Sequence, residues 1–62
     1  MDKLVVFKQG FNFYVTPYEN YARCVMDVNR MTRMVDFESA EEVILYWCKW
    51  YPDFSPASFI VM

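Results

Sequence analysis

Two apolar runs with alternating pattern open the chain and predict a β-hairpin. The runs cover residues 4–7 and 11–15 and flank Gly10, the only glycine. A two-residue turn at positions 9 and 10 would place Val6 opposite Phe13. One face of this hairpin is then expected to be a core face, made of Leu4, Val6, Phe11, Phe13 and Val15.

Residues 17–29 are predicted to form a helix, with a strand as the alternative. Thr16, Pro17 and Glu19 have the spacing of a helix start with a capping box. Apolar residues then recur at helical spacing. The strand alternative stays open because positions 22–29 also alternate. Residues 31–37 alternate as well and fit a short strand or an extended connection.

Residues 39–51 are predicted to form the main helix, packed on the sheet. Ser39 and Glu42 have capping-box spacing, and Pro52 ends the helix because the residue before a proline disfavours α geometry. Eight of the nine residues from 43 to 51 are apolar or aromatic, and Lys49 is the exception. The expected core stripe is Val43, Tyr46, Trp47 and Trp50. A second apolar stripe beside it consists of Ile44, Cys48 and Tyr51.

A loop with two prolines follows the helix, and residues 58–62 are predicted to form a short final strand. The pattern as a whole predicts an α+β fold in which residues 1–62 make one small domain. A chain of this length gains only about 3–5 kcal/mol of net stability from its core. Its 13 aromatic residues provide large buried areas, and self-association into a homodimer is a reasonable second support.

Catalysis is disfavoured because the chain has no histidine, the usual general base near neutral pH. Its two thiols, Cys24 and Cys48, have no nucleophile signature around them, and we expect Cys48, flanked by Trp47 and Lys49 on a helix, to be a small core residue. Two thiols also do not fill a tetrahedral metal site. We therefore expect no enzyme, no catalytic residue, no metal and no cofactor.

The charge is divided unevenly along the chain. The net charge is −2, with +1 in residues 1–31 and −3 in residues 32–62. Nucleic-acid binding normally needs a basic field, so it is disfavoured although Arg23, Arg30 and Arg33 could share a surface. The acids at the start of the main helix suit the helix dipole, and they could also steer a basic partner.

A membrane span is not expected, because no apolar run approaches the roughly 18–20 residues that cross a bilayer. The N-terminus, Met1-Asp2-Lys3, lacks the pattern of a secretory signal. These features predict a soluble protein of the cytoplasm, the host bacterial cytoplasm if the chain is encoded by a phage.

The surplus of aromatic surface indicates binding to another protein. In size, acidity and aromatic content the chain resembles the small accessory proteins with which bacteriophages and mobile elements disable a host enzyme. This is a resemblance of class, and it implies a non-enzymatic inhibitor or modulator that occludes a surface of a host or cellular protein. The alternatives are an obligate homodimer and, less favoured, a nucleic-acid-binding module. The expected partner-binding residues are Tyr51, Trp50, Trp47 and Ile44 on the helix, Phe7 and Tyr14 on the outer hairpin face, and Glu38, Glu41 and Glu42 at the helix start.

Overall fold

A four-stranded mixed sheet organises the protein. The computed structural model describes residues 3–62, apart from the side chain of Val28. The strands lie in the order β3-β2-β1-β4, where β1 is Leu4–Gln9, β2 is Asn12–Pro17, β3 is Thr32–Met34 and β4 is Phe59–Val61. Strands β1, β2 and β3 pair antiparallel, and β4 pairs parallel to β1. The predicted α+β class is confirmed.

The β1–β2 hairpin is confirmed, but its turn lies one residue later than predicted. Gln9 pairs with Asn12 and Val6 with Val15, so Gly10 and Phe11 form the turn. Gly10 has φ 66°, and glycine adopts this left-handed conformation without a steric cost. The pairing is shifted by two residues, so each side chain keeps its predicted face. Phe11 is the exception: it lies in the turn with 97% of its surface exposed, and its prediction as a core residue was wrong.

The segment predicted as a helix over 17–29 is helical but much shorter. A 3₁₀ turn at Tyr18–Asn20 leads into α1, Tyr21–Cys24, and a second 3₁₀ turn follows at Val28–Arg30. The strand alternative was wrong. The predicted cap was also wrong, because β2 continues through Pro17 and leaves Thr16 buried in the sheet. The Thr16 hydroxyl lies 3.3 Å from Cys24 Sγ rather than on a helix N-terminus.

The main helix, α2, spans Ala40–Trp50 and confirms the prediction for 39–51 with its two caps included. Ser39 Oγ accepts a hydrogen bond from the Glu42 N–H at 3.2 Å, while Glu42 Oε1 accepts from the Glu38 N–H at 2.8 Å. The last turn closes with the Tyr51 N–H donating to Trp47 O at 2.8 Å. A 3₁₀ turn at Pro56–Ser58 then precedes β4, so the predicted final strand is confirmed within narrower bounds.

Apolar side chains cover both faces of the sheet. Helix α2 lies on one face, over a cluster formed by Leu4, Val6, Phe13, Val15, Met34, Val43 and Ile44. The other face carries a smaller cluster of Val5, Phe7 and Tyr14, covered by Tyr21, Val25, Met31 and Ile60. Strand β1 therefore contributes to two cores at once, which explains why residues 4–7 are all buried.

Candidate functional site

Helix α2 is rotated relative to the prediction, and this rotation decides which of its side chains are free. Val43 and Ile44 are buried, and Trp47 and Cys48 pack partly buried against the same core. Ile44 was therefore wrongly predicted to contact a partner. The smaller side chains of the helix lie nearest the sheet, because helix and sheet can then approach closely.

The aromatic side chains of α2 lie along its border with solvent. Tyr46, Trp50 and Tyr51 are exposed by 47%, 60% and 52%. Tyr46 and Trp50 were predicted as core residues, and that prediction was wrong. Trp47 is half-buried beneath them, and its ring centroid lies 4.8 Å from that of Tyr51. Tyr46 contacts Phe37 at 5.3 Å and Trp50 at 6.1 Å between ring centroids.

These rings form one wall of a groove, and strand β3 forms the other. The groove encloses about 370 Å³ between Thr32 and Met34 on β3 and Tyr46, Trp47, Trp50 and Tyr51 of the helix segment. A second depression of about 360 Å³ continues it along the chain past Asp36 and Phe37, and both share Met34 and Tyr46. We call the two together the β3–α2 groove. The alternation at 31–37 was the only sequence signal for the β3 wall, and it did not place that wall beside the helix.

An acidic cluster lies before and at the start of α2, and one of its members, Asp36, lines the β3–α2 groove in the same depression as Arg33. Its members are all exposed and precede or begin α2: Asp36, Glu38, Glu41 and Glu42. Within residues 3–62 the only ion pair within 4.0 Å joins Arg30 Nε and Asp27 Oδ2 at 3.4 Å, so no acid of the cluster has a basic partner. The start of α2 therefore carries a net negative charge.

One polar atom under the groove has no hydrogen-bond partner. Among the described side chains, Trp47 Nε1 is the buried nitrogen or oxygen without an acceptor. Leaving such a donor unpaired costs about 1–3 kcal/mol, which the packing of the indole ring must offset. Trp47 therefore packs against the larger core and also lines the groove.

Phe7 and Tyr14 do not belong to an exposed surface, and their prediction as partner contacts was wrong. Both are buried, with ring centroids 5.8 Å apart, and Tyr21 packs edge-on against Phe7 at 5.0 Å. The segment after β2 folds back over this face of the hairpin. The side chains of this segment that cover Phe7 and Tyr14 are few and irregularly spaced in the sequence. The sequence pattern therefore did not predict that this face of the hairpin is buried.

The thiols and the basic side chains are dispersed. Cys24 is buried beside Thr16 on one face of the sheet, and Cys48 of α2 packs against the core on the other face. The sheet therefore separates the two free thiols. The described residues contain no group of three or more His, Cys, Asp or Glu side chains placed to hold a metal ion. Arg23 and Arg30 line a small pocket beside α1, while Arg33 lies next to Tyr14 and also lines the second depression of the β3–α2 groove.

No helix in the described part of the chain is both long and apolar enough to cross a membrane. Comparisons with protein-family models, with curated proteins and with solved structures find no match to this chain. The β3–α2 groove and the acidic cluster at the start of α2 are the most distinctive surface features of residues 3–62.

Proposed function

We propose that this chain is a non-enzymatic protein-binding module that acts in the bacterial cytoplasm as an inhibitor or modulator. It binds a host or cellular protein through the β3–α2 groove and occludes the surface that it contacts. The observation that supports this proposal is the row of exposed aromatic side chains, Tyr46, Trp50 and Tyr51, along one wall of an apolar groove. Tryptophan and tyrosine provide most of the binding energy at protein interfaces.

The acidic cluster supports the same proposal through electrostatics. Its four carboxylates form no ion pair with a basic side chain of residues 3–62, and they precede or begin the helix that forms one wall of the groove, so they attract a basic surface before contact is made. Such steering raises the association rate at low salt and is screened when the Debye length falls to about 3 Å at 1 M salt. The apolar groove then determines how long the complex lasts.

Affinity capture with matched variants tests the proposal. Tagged wild-type protein, Trp50→Ala and Leu45→Ala are each used to capture proteins from a bacterial lysate, and the captured proteins are quantified by mass spectrometry. Leu45 is the matched control because it is 65% exposed on the same helix but lies outside the β3–α2 groove, next to Glu41 and Pro56. We expect a protein that wild type and Leu45→Ala retain and that Trp50→Ala loses by about 10-fold or more.

The proposal also requires that Trp50→Ala remains folded, because Trp50 is more than half exposed. Circular dichroism should give the same helix content and nearly the same melting temperature as wild type. Unfolding of this variant would show that the ring is a core residue. Equal capture by the Trp50 and Leu45 variants would also contradict the proposal, since the groove would then not be the binding surface.

A further inference from the structure

The backbone hydrogen-bond pattern of the sheet shows which groups of β3 point outward. Gln9 and Asn12 close a two-residue hairpin, so they form a hydrogen-bonded pair, and every second pair along β1 and β2 does the same. The Tyr18 N–H donates to Lys3 O at 2.9 Å, in agreement with this alternation. The N–H and C=O groups of Phe13 therefore point away from β1 and toward β3.

This alternation fixes the direction of each backbone group of β3. Met34 pairs with Phe13 and Thr32 with Val15, so the N–H and C=O groups of both β3 residues point toward β2. Arg33 lies between them, and its N–H and C=O point outward. Strand β3 is an edge strand because the order of the sheet begins with it. The outward groups of Arg33 are a template for a further strand.

The charged side chains in and around β3 follow a simple order. Arg30 precedes the strand and Arg33 lies in it, whereas Asp36 and Glu38 follow it, and all four are exposed. Arg33 and Asp36 line the same depression of the β3–α2 groove. Within residues 3–62 neither of these two side chains has an ion-pair partner within 4.0 Å. The edge therefore changes from basic to acidic along the direction of the chain.

A second copy of the chain complements this order when it runs antiparallel. Its acidic residues then lie beside the basic residues of the first copy, and the reverse holds at the other end of the strand. A two-fold axis produces both contacts at once, because the same edge meets itself with its direction reversed. A parallel second copy would set like charges side by side. No sequence other than the chain's own is needed for this complementarity.

The outward groups of Arg33 restrict the register of this pairing. Residues with outward groups must face each other, so Arg33 lies opposite Met31, Arg33 or Val35 of the second copy. Two Arg33 side chains directly opposite each other are destabilising. Among these registers, the pairing of Arg33 with Val35 of the second copy brings Asp36, the residue after Val35, nearest to Arg33. The Arg33 side chain lines depressions on both faces of the sheet, so it lies at the edge where this contact forms.

We propose that the protein forms a two-fold symmetric dimer in which the β3 edges of two copies pair antiparallel. Arg33 of each copy lies opposite Val35 of the other and forms an ion pair with its Asp36. Val35, which is 45% exposed in the single chain, is covered by the aliphatic part of the arginine. The inference goes beyond the proposed function and does not depend on it.

The dimer changes the surface that a partner protein meets. Its axis is perpendicular to the sheet, so the two sheets continue into one and both α2 helices lie on the same face. The two β3–α2 grooves then lie side by side between the helices, and both copies contribute to the combined groove. The pairing involves few residues, so we expect a weak dimer with a dissociation constant of about 10–100 μM.

An exchange of charges between two variants tests the inference by sedimentation equilibrium. Arg33→Glu alone sets two acids against each other at both contacts, and Asp36→Lys alone sets two bases against each other. We expect each variant by itself to dimerise about 10-fold or more weakly than wild type. An equimolar mixture restores opposite charges at both contacts, and we expect its mixed dimer to form within about 3-fold of the wild-type affinity.

Matched controls separate the ion pair from net charge and backbone strain. Lys49→Glu makes the same change of charge as Arg33→Glu at an exposed position of α2, and it should dimerise within about 2-fold of wild type. Asp36→Asn removes the carboxylate but keeps a residue that tolerates positive φ, so it should weaken the dimer without straining the chain. Circular dichroism of each variant verifies that it is folded.

Hydrogen exchange of the wild-type protein gives a second measurement that does not depend on the folding of a variant. The Arg33 amide should exchange fast well below the dissociation constant of the dimer and slowly well above it. The Met34 amide should be protected at both concentrations, because it points toward β2. An Arg33 amide whose exchange is independent of concentration would overturn the inference.

The outcomes separate this inference from the proposed function. The inference is wrong if wild type is monomeric at all concentrations, or if the mixture of Arg33→Glu and Asp36→Lys dimerises no better than either variant alone. It is also wrong if only a captured protein protects the Arg33 amide, since a foreign strand then occupies the edge. Loss of the captured protein in Trp50→Ala supports the function in each of these cases. Equal capture by Trp50→Ala beside a restored mixed dimer would leave the inference standing and contradict only the function.

Discussion

At the scale of single residues, Asp36 has the most unusual backbone of the described non-glycine residues. Its φ is 68°, the only positive value among them, and it turns the chain from β3 toward α2. Aspartate tolerates this left-handed region better than most residues, and a β-branched residue does not. Asp36 therefore combines two roles, since it also lines the β3–α2 groove.

Two substitutions at Asp36 should show how much its backbone conformation contributes to stability, because both remove the charge and only one is strained at positive φ. Asp36→Val should lower the free energy of unfolding by about 1–2 kcal/mol because a branched side chain is strained at positive φ. Asp36→Gly should leave it within about 1 kcal/mol of wild type, since glycine removes the strain but gains entropy when unfolded. Urea denaturation measures the free energy of unfolding of both variants. The matched control is Asp53→Val, an exposed aspartate with ordinary φ, which should change stability by less than about 0.5 kcal/mol. Equal losses of stability in Asp36→Val and Asp53→Val would show that the positive φ of Asp36 is not the cause.

At the scale of elements, the start of α2 is stabilised by capping interactions. Ser39 Oγ satisfies the Glu42 N–H, and the Glu42 carboxylate satisfies the Glu38 N–H one residue before the cap. Four N–H groups at a helix start lack partners within the helix, so each such bond matters. The same bonds fix the position of the acidic cluster relative to the groove.

Removal of the cap should therefore weaken the whole protein. We expect Ser39→Ala to lower the free energy of unfolding by about 1 kcal/mol, within the 0.5–2 kcal/mol range of such substitutions. Ser39→Asp should retain most of the stability because aspartate also caps and suits the helix dipole. Thermal melts followed by far-UV circular dichroism test both variants. Ser39→Ala with unchanged stability would mean that the cap is not needed to hold α2.

The elements also show which parts of the fold the sequence could predict. The ends of α2 are defined by local signals, a serine cap at position 39 and a proline at position 52. These signals were sufficient to predict both ends of the helix. The hairpin register was ambiguous because Gly10 can occupy either position of a two-residue turn. The rotation of α2 and the burial of Phe7 and Tyr14 depend on contacts between segments distant in sequence. The exposure of Tyr51 agrees with its place on the second apolar stripe, whereas the exposure of Trp50 and the β3 wall of the groove were not predicted.

At the scale of the whole molecule, β1 and β4 connect two cores that lie on opposite faces of one sheet. Phe59 packs against the larger core and Ile60 against the smaller one, although they are neighbours in β4. Both tryptophans belong to α2, on the larger core's side. A domain this small gains little from either core alone, so we expect the two to unfold together.

A substitution in the smaller core tests this cooperativity with a probe in the larger one. Ile60→Ala should cost about 1–2 kcal/mol, less than a fully buried isoleucine because Ile60 is half-buried. In a domain of this size each kcal/mol lowers the melting temperature by about 4–8 °C. Tryptophan fluorescence and far-UV circular dichroism should show the same lowered midpoint, although Ile60 does not share a face with either tryptophan. Val61→Ala, at an exposed position of the same strand, is the matched control and should leave both midpoints nearly unchanged. If Ile60→Ala lowered the circular dichroism midpoint without the fluorescence midpoint, the two cores would unfold independently, and the β3–α2 groove would not depend on the smaller core.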